Sequence, residues 1–508
     1  MKSPFLESVQ VKKMLAVNLA LAAAYFVGLF VVFQRGNMAL FITLLVGEVF
    51  HLWQLATLTH AAWDTRTSHP FDPALAPAVD IYITVAGEPL SVVEKTVQAA
   101  TRIDYPNYKV YILNDGLVAK KDNWQDMETL AKKYQNLGVH CITRTTPGGA
   151  KAGNINHALS KTRAPFVAIL DCDHIPNREF LRRMMGYFVE DDVAFVQSPQ
   201  YYRNHTKTFV ANAAWGQQTL FFGPICRGKD RTNSLFMCGT NMVIRRKALD
   251  SVGGMKQDSI TEDLLTSIVM HAKGWRSVYV PRILARGLAP EDLSSYWQQQ
   301  FRWARGSLEV LTKYNPLFLR GLSFAQRLQY LASVTYYLTG LIVLVDAALP
   351  LFYFYAGLIP VTAATMSIAL LFVPYIFLTL YLLQRISNYS FSFRAIAFSL
   401  ASWPIYALAL LLTVFRVRSG FKVTAKEGVS GNYFGLAAIH LLYTLATLIG
   451  IGFAFHRDGL STSLITNGSW GLLYVVMFAP FIRAAMSDRV ASILPYDELE
   501  LPAEVIHE

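Results

Sequence analysis

Phe166-Val167-Ala168-Ile169-Leu170-Asp171-Cys172-Asp173-His174 reads as a buried strand that runs into two carboxylates. Five apolar residues followed by a polar turn suit a strand covered on both faces. Asp171 and Asp173 are two apart at its end, so their side chains point the same way and share one hard cation. The flanking sequence repeats the pattern. Residues 80–85, 108–113 and 139–143 are further strands, with helical patterns at 90–101, 126–135 and 150–159 between them. Strands alternating with helices predict a mostly parallel sheet with helices on both faces, and such a sheet binds ligands at the carboxyl ends of its strands. Glu88 in Ala-Gly-Glu-Pro and Asp115 in Asn-Asp-Gly stand at two more of those ends, making an acidic site.

The chain around this site is basic and apolar. Its 508 residues are 53% hydrophobic and 16% charged, with a net charge of +11. That is the composition of a membrane protein, and long apolar runs assign the basic excess to loops beside anionic lipid or to an anionic substrate, not to nucleic acid. Cys141, Cys172, Cys226 and Cys238 have no metal-ligand spacing and read as reduced thiols of a cytosolic domain.

Apolar runs at 14–33 and 39–58 precede the α/β region, and runs at 328–355, 361–383, 434–455 and 464–482 follow it. The first continues well past the alanines at 22–24, so it reads as an uncleaved span, not as a signal peptide. Glu48, His51 and Gln54 in the second are costly in hydrocarbon and should face protein or water; Asp346 lies in the third. Residues 395–415 are apolar too, but Arg385 and Arg394 precede them, while Arg416, Arg418, Lys422 and Lys426 follow. Basic residues at both ends predict a segment lying on the membrane surface or re-entering it. The expected count is about six spans, with the domain and both termini cytoplasmic. The expected division is a transmembrane pair at 1–63, a catalytic domain at 64–290, interfacial helices at 291–327, a pair at 328–384, an interfacial helix and loop at 385–433, a pair at 434–485 and a tail at 486–508.

Several stretches offer chemistry. Gly148-Gly149-Ala150-Lys151 opens a helix with glycines and an ammonium, which suits phosphate, although a helix start packed closely through glycine reads the same way. Thr261-Glu262-Asp263 precedes a helical pattern at 264–272; its carboxylates can take a proton from an attacking hydroxyl or simply favour the first turn of a helix. Gly239-Thr240-Asn241, preceded by Phe236-Met237-Cys238, reads as a short strand and turn. In the run from Ser294 to Gly306, Gln299 and Arg302 lie one helical turn apart with Trp303 beside them, a surface suited to an anionic leaving group and a sugar ring. Phe421-Lys422-Val423-Thr424-Ala425-Lys426 is a polar loop that serves as a connection or as a lid.

In this order the motifs closely resemble the processive membrane synthases of glycosyltransferase family 2, and among them the bacterial cellulose synthases, over about residues 80–490. The resemblance implies a GT-A domain set between membrane helices, Mg²⁺ or Mn²⁺ as cofactor, and a UDP-sugar donor. It implies that Glu88, Asp115, Lys151 and Asp171 hold the nucleotide, that Asp173 binds the metal, and that Gln299 and Arg302 contact the pyrophosphate. By the same resemblance Asp263, next to Glu262, is the general base. Trp303 stacks on the acceptor, with Cys238, Gly239 and Thr240 near it, and Phe421, Val423, Thr424 and Lys426 form a gating loop. The implied product is a β-glucan, cellulose above all, threaded across the inner membrane; β-1,3 or mixed-linkage glucan and UDP-GlcNAc-derived polymers are the alternatives. A periplasmic or extracellular partner and an oligomer are compatible with this reading. Too few residues follow the last expected span for the C-terminal PilZ domain usual in bacterial cellulose synthases, so control through such a domain is not expected.

Overall fold

The computed structural model describes residues 4–65, 67–362, 365–388, 390–417 and 432–486. Phe421, Val423, Thr424 and Lys426 lie outside the described residues, as does nearly all of the 486–508 tail.

Seven strands build the central sheet: β1 (Val79–Val85), β2 (Tyr108–Asn114), β3 (Val139–Thr143), β4 (Phe166–Asp171), β5 (Val193–Gln197), β6 (Met242–Arg245) and β7 (Arg276–Tyr279). Their order is β7-β5-β6-β4-β1-β2-β3, and every neighbouring pair is parallel except those made by β6. The first four strands match the expected ones to within a residue at each end. Alternate residues of β1 explain why both faces are dry. Val79, Ile81, Ile83 and Val85 join one core with the helices Leu90–Ala100, Trp124–Lys133 and Phe180–Met185. Tyr82 joins the other, with Ala150–Lys161, Arg246–Val252 and Met270. Each aliphatic side chain so buried contributes about 1.5–3 kcal/mol relative to exposure.

Register then levels the strand ends. Thr84 of β1 stands opposite Asp171 of β4, Val85 opposite Asn114 of β2, and Asn114 opposite Thr143 of β3. The polar residues that follow therefore emerge along one edge.

One expectation is corrected. Residues 236–238 are not a strand, and the strand of that region, β6, begins only at Met242. The Met237 N–H is held by the Ser267 hydroxyl at 2.9 Å, and Gly239 (φ +79°) and Asn241 (φ +56°) turn the chain out of the extended conformation before β6 starts.

Among the described residues, seven helices are long and apolar enough to cross a bilayer: Val9–Val31, Met38–Ala62, Phe324–Ala356, Met366–Ile386, Phe393–Val414, Phe434–Asp458 and Thr462–Ala484. Six of them overlap the six expected spans. Phe393–Val414 coincides with the segment expected on the membrane surface, and it is broken at Ser402 into Phe393–Ala401 and Trp403–Val414. Pro404 is accommodated in the first turn of the second piece, where its missing N–H has no intrahelical acceptor to lose. The first piece packs on the Phe209–Leu220 helix and the second on Leu293–Lys313. This is a multi-pass membrane protein.

Candidate active site

Lys151, in the first turn of the Ala150–Lys161 helix, reaches back over the end of β4. Its Nζ donates to Asp171 Oδ1 and, at 2.8 Å, to the Gly239 carbonyl. Burial by itself lowers an ammonium pKa, but Asp171 and Glu262 outweigh it and hold Lys151 above its ordinary value. Asp171 is fixed twice more: its N–H donates to Thr240 Oγ1 at 2.8 Å, and Thr84 Oγ1 donates to its Oδ1 at 3.2 Å. The 238–241 turn is thereby clamped to β4. Gln197 at the end of β5 completes the clamp, accepting from the Cys238 N–H at 2.9 Å and donating to the Thr240 carbonyl at 2.8 Å.

Gly239 is where the two halves of the site meet. A Cβ there would lie 3.2 Å from Asp263 Oδ2 and 3.7 Å from Lys151 Nζ. Glu262 and Asp263 occupy the first turn of the Glu262–Ala272 helix, where carboxylates suit the helix dipole. Thr261 makes no side-chain cap; instead Asp263 Oδ1 accepts from the Leu264 N–H at 2.8 Å. The pKa values of both carboxyls are pushed above the ordinary range, chiefly by burial; each acid's proximity to other carboxylates adds to the effect, and Lys151 opposes it.

Asp173 is fully buried. Its Oδ2 accepts from the Leu288 N–H at 3.1 Å, and its Oδ1 lies 3.5 Å from His174 Nδ1. His174 is buried as well, and neither of its ring nitrogens has a hydrogen-bond partner among the described residues. One ligand atom from each of Asp171, Asp173 and His174 falls within 4.8 Å of the others. Two carboxylates with an uncommitted imidazole fit a divalent cation of the Mg²⁺ or Mn²⁺ kind. His174 was not singled out from sequence; its place beside the Asp-x-Asp pair was the available signal.

At the neighbouring strand ends, Glu88 Oε2 accepts from the Ala86 N–H at 2.6 Å. Asp115 is gripped in bidentate fashion by Arg144, Nε to Oδ1 at 2.7 Å and Nη2 to Oδ2 at 2.5 Å. Arg144 also donates to the carbonyls of Gly148 and Ala150, so it ties the end of β2 to the glycine turn before Lys151. Sequence reading missed this residue, although it immediately follows β3.

Gln299, Arg302 and Trp303 share one face of the Leu293–Lys313 helix, which Asp292 caps by accepting from the Ser295 N–H at 2.9 Å. Arg302 is within electrostatic reach of Glu262. Gln299 Oε1 is buried and has no hydrogen-bond partner among the described residues. The expected site residues on β4, the 238–241 turn, Glu262–Ala272 and Arg302 are thus brought together, with Glu88 and Asp115 along the sheet edge.

Comparisons agree with this architecture. The family model for glycosyltransferase-like family 2 matches residues 77–306, and that for cellulose synthase matches residues 250–392. The chain is 32% identical to the cellulose synthase catalytic subunit [UDP-forming] of Komagataeibacter sucrofermentans over 84% of its own length and 59% of that protein's. It is 30% identical to the corresponding subunit of Pseudomonas fluorescens over 88% of its length and 62% of that relative's. The chain thus spans about three fifths of the length of these two relatives. The solved mannosyltransferase PcManGT from Pyrobaculum calidifontis, in complex with GDP-Man and Mn²⁺, superposes with a TM-score of 0.51 at 16% identity, covering 80% of this chain and all of that one, which shows the shared GT-A-like fold. The match to the family 2 glycosyltransferases thus covers the α/β domain, and the match to cellulose synthase carries the likeness on into the membrane helices that follow it.

Proposed function

We propose that this protein is a processive, inverting synthase that transfers glucose from UDP-glucose to a growing β-1,4-glucan, releases UDP and passes the polymer across the inner membrane. The observation that carries this reading is the meeting at Gly239 of a half-buried carboxylate, Asp263, and an ammonium, Lys151, that is already bonded to Asp171. A base for an acceptor hydroxyl and a cation for a donor phosphate then lie on either side of one small residue. The seven apolar helices, and relatives named as UDP-forming cellulose synthase catalytic subunits, support the rest.

In this mechanism Glu88 and Asp115 hold the nucleotide, with Arg144 keeping the Asp115 carboxylate oriented. Lys151 and Arg302 meet the diphosphate charge, and Gln299 binds beside them. Asp173, with Asp171 and His174, would hold Mg²⁺ or Mn²⁺, which when bound would supply further neutralisation of the diphosphate charge. Asp263 takes the proton of the acceptor hydroxyl as that oxygen attacks the anomeric carbon from the face opposite the diphosphate, so an α-linked donor yields a β linkage. Trp303 stacks on the acceptor sugar, with the turn at Cys238, Gly239 and Thr240 also on the acceptor side. The domain and termini face the cytoplasm, and Phe393–Val414 lies at the membrane surface beneath the site.

Reconstituted protein supplied with UDP-glucose and Mn²⁺ or Mg²⁺ tests the reading, with Asp263→Asn as the blank. An insoluble product digested by a β-1,4-glucanase is the expected result. Digestion only by a β-1,3-glucanase moves the linkage, and a polymer formed only from UDP-GlcNAc overturns the glucan assignment.

A further inference from the structure

Three short strands make a second, small sheet beside the metal group. Ala285–Gly287 pairs antiparallel with Ile175–Pro176 on one side and parallel with Tyr201–Tyr202 on the other. A cavity of about 360 Å³ opens on this sheet, with an apolar floor that includes Ile175, Pro176, Ile283 and Leu284 and with Arg203 and Arg286 at its edge. Pro176 and Leu284 are buried, Arg203 is half-buried and Arg286 is exposed. The cavity follows His174 in the chain, yet the mechanism above uses none of its residues.

Both guanidiniums lack an acid. Among the described residues neither Arg203 nor Arg286 forms an ion pair, and Arg203 Nε is buried with no hydrogen-bond partner. Glu291, the nearest acid to Arg286 in the sequence, is taken by Lys207 at 2.7 Å and by the Asn204 amide at 3.0 Å. Arg286 instead lies over the Tyr201 ring, 5.9 Å from its centroid. An apolar floor with two uncommitted guanidiniums suits a ligand that brings apolar side chains and carboxylates together.

We propose that this cavity seats the acidic segment at residues 494–508 of the same chain. On a chain of net charge +11, residues 490–508 contain Asp497, Glu498, Glu500, Glu504 and Glu508 and no lysine or arginine. Leu494, Leu499 and Leu501 are interleaved with these acids, so the run supplies apolar groups for the floor and carboxylates for the edge. Residues 494–508 lie outside the described residues, but the place where the described chain stops is close by. Arg483, in the last turn of the Thr462–Ala484 helix, has its Cζ 5.6 Å from the centre of the Phe209 ring. Arg203 precedes Phe209 by six residues, and a turn closed by the Lys207 N–H on the Asn204 carbonyl at 3.0 Å shortens that path. Six residues span at most about 22 Å, whereas the eleven from Met486 to Asp497 can span about 36–40 Å. The carboxylates from Asp497 onward therefore reach the cavity. Tethering raises their effective concentration there, so a weak contact suffices.

The test uses the full chain in detergent with benzoylphenylalanine in place of Ile283, ultraviolet illumination and mass spectrometry of the cross-linked peptides. Isotopically heavy and light protein, mixed before illumination, distinguish contacts within one chain from contacts between copies. The expected result is a link from position 283 to residues 491–508 of the same chain. Its yield should fall about tenfold when Arg203→Met and Arg286→Met are combined, the loss of a charge-assisted hydrogen bond, and high salt should act in the same direction. The combination Asp497→Asn, Glu498→Gln and Glu500→Gln leaves the cavity untouched and should lower the yield as much, so the proposal stays testable if the arginine pair does not fold. No link to residues 491–508, or a link whose yield ignores both sets of substitutions, overturns the proposal. Links found only between heavy and light copies overturn the assignment to the same chain.

Discussion

Gly306 of the Leu293–Lys313 helix lies directly against Thr261, the residue before Glu262 and Asp263: a Cβ at Gly306 would come within 2.6 Å of Thr261 Oγ1. One helix face carries Gln299, Arg302 and Trp303, and this contact sets its distance from the two carboxylates. Gly306→Ala should therefore push the segments apart. Overpacking of this kind costs about 1–3 kcal/mol, and a misplacement felt at the reacting groups should lower UDP release from UDP-glucose by about tenfold or more. Adding Thr261→Ala should recover part of the loss, whereas a general folding defect would not respond to the second change.

Asp263→Asn keeps the shape of the site and removes the proposed base. UDP release should fall by about 10²–10⁴-fold, while UDP binding measured by calorimetry should stay within a few-fold of wild type. Because burial raises the Asp263 pKa, its working, ionised form is lost on acidification at a higher pH than for an ordinary carboxylate. The acid limb of the rate profile should accordingly lie above about pH 4 and should flatten in the variant's residual activity.

His174 and Asp173 yield a prediction about metal. His174→Ala should weaken Mn²⁺ binding by about 10–100-fold, read by the electron paramagnetic resonance of free Mn²⁺, and Asp173→Asn by at least as much. Unchanged Mn²⁺ affinity in both variants would remove the proposed metal site.

Lys229 is buried where the Cys226–Arg231 helix meets the Phe324–Thr335 helix, donating to the Gln329 carbonyl at 2.7 Å, and burial pulls its pKa down to about 7. Its unfolded value is about 10.4. Between these values the unfolded chain binds the proton more tightly, so folding stability contributed by this residue rises with pH across that window and is lowest below it. Lys229→Met should be more thermostable than wild type near neutral and acidic pH, with the difference shrinking toward about pH 10. Thermal unfolding in detergent at several pH values, followed by intrinsic fluorescence, measures this.

The first four strands, the helix start at Ala150, the helix over 264–272 and six of the seven apolar helices are local patterns, and they were legible in the sequence because a period of two, a period of 3.6 or a long apolar run depends only on neighbouring residues. The order of the strands, the antiparallel β6 and its late start were not. Arg144 reaches Asp115 across 29 positions and Lys151 reaches Gly239 across 88, and the Asp346 of a distant helix meets His51. Which side chain answers which across such separations was decided only by tertiary structure, because strand order, helix crossing and close approach at Gly47, Gly239 and Gly306 set those distances, and no local pattern encodes them.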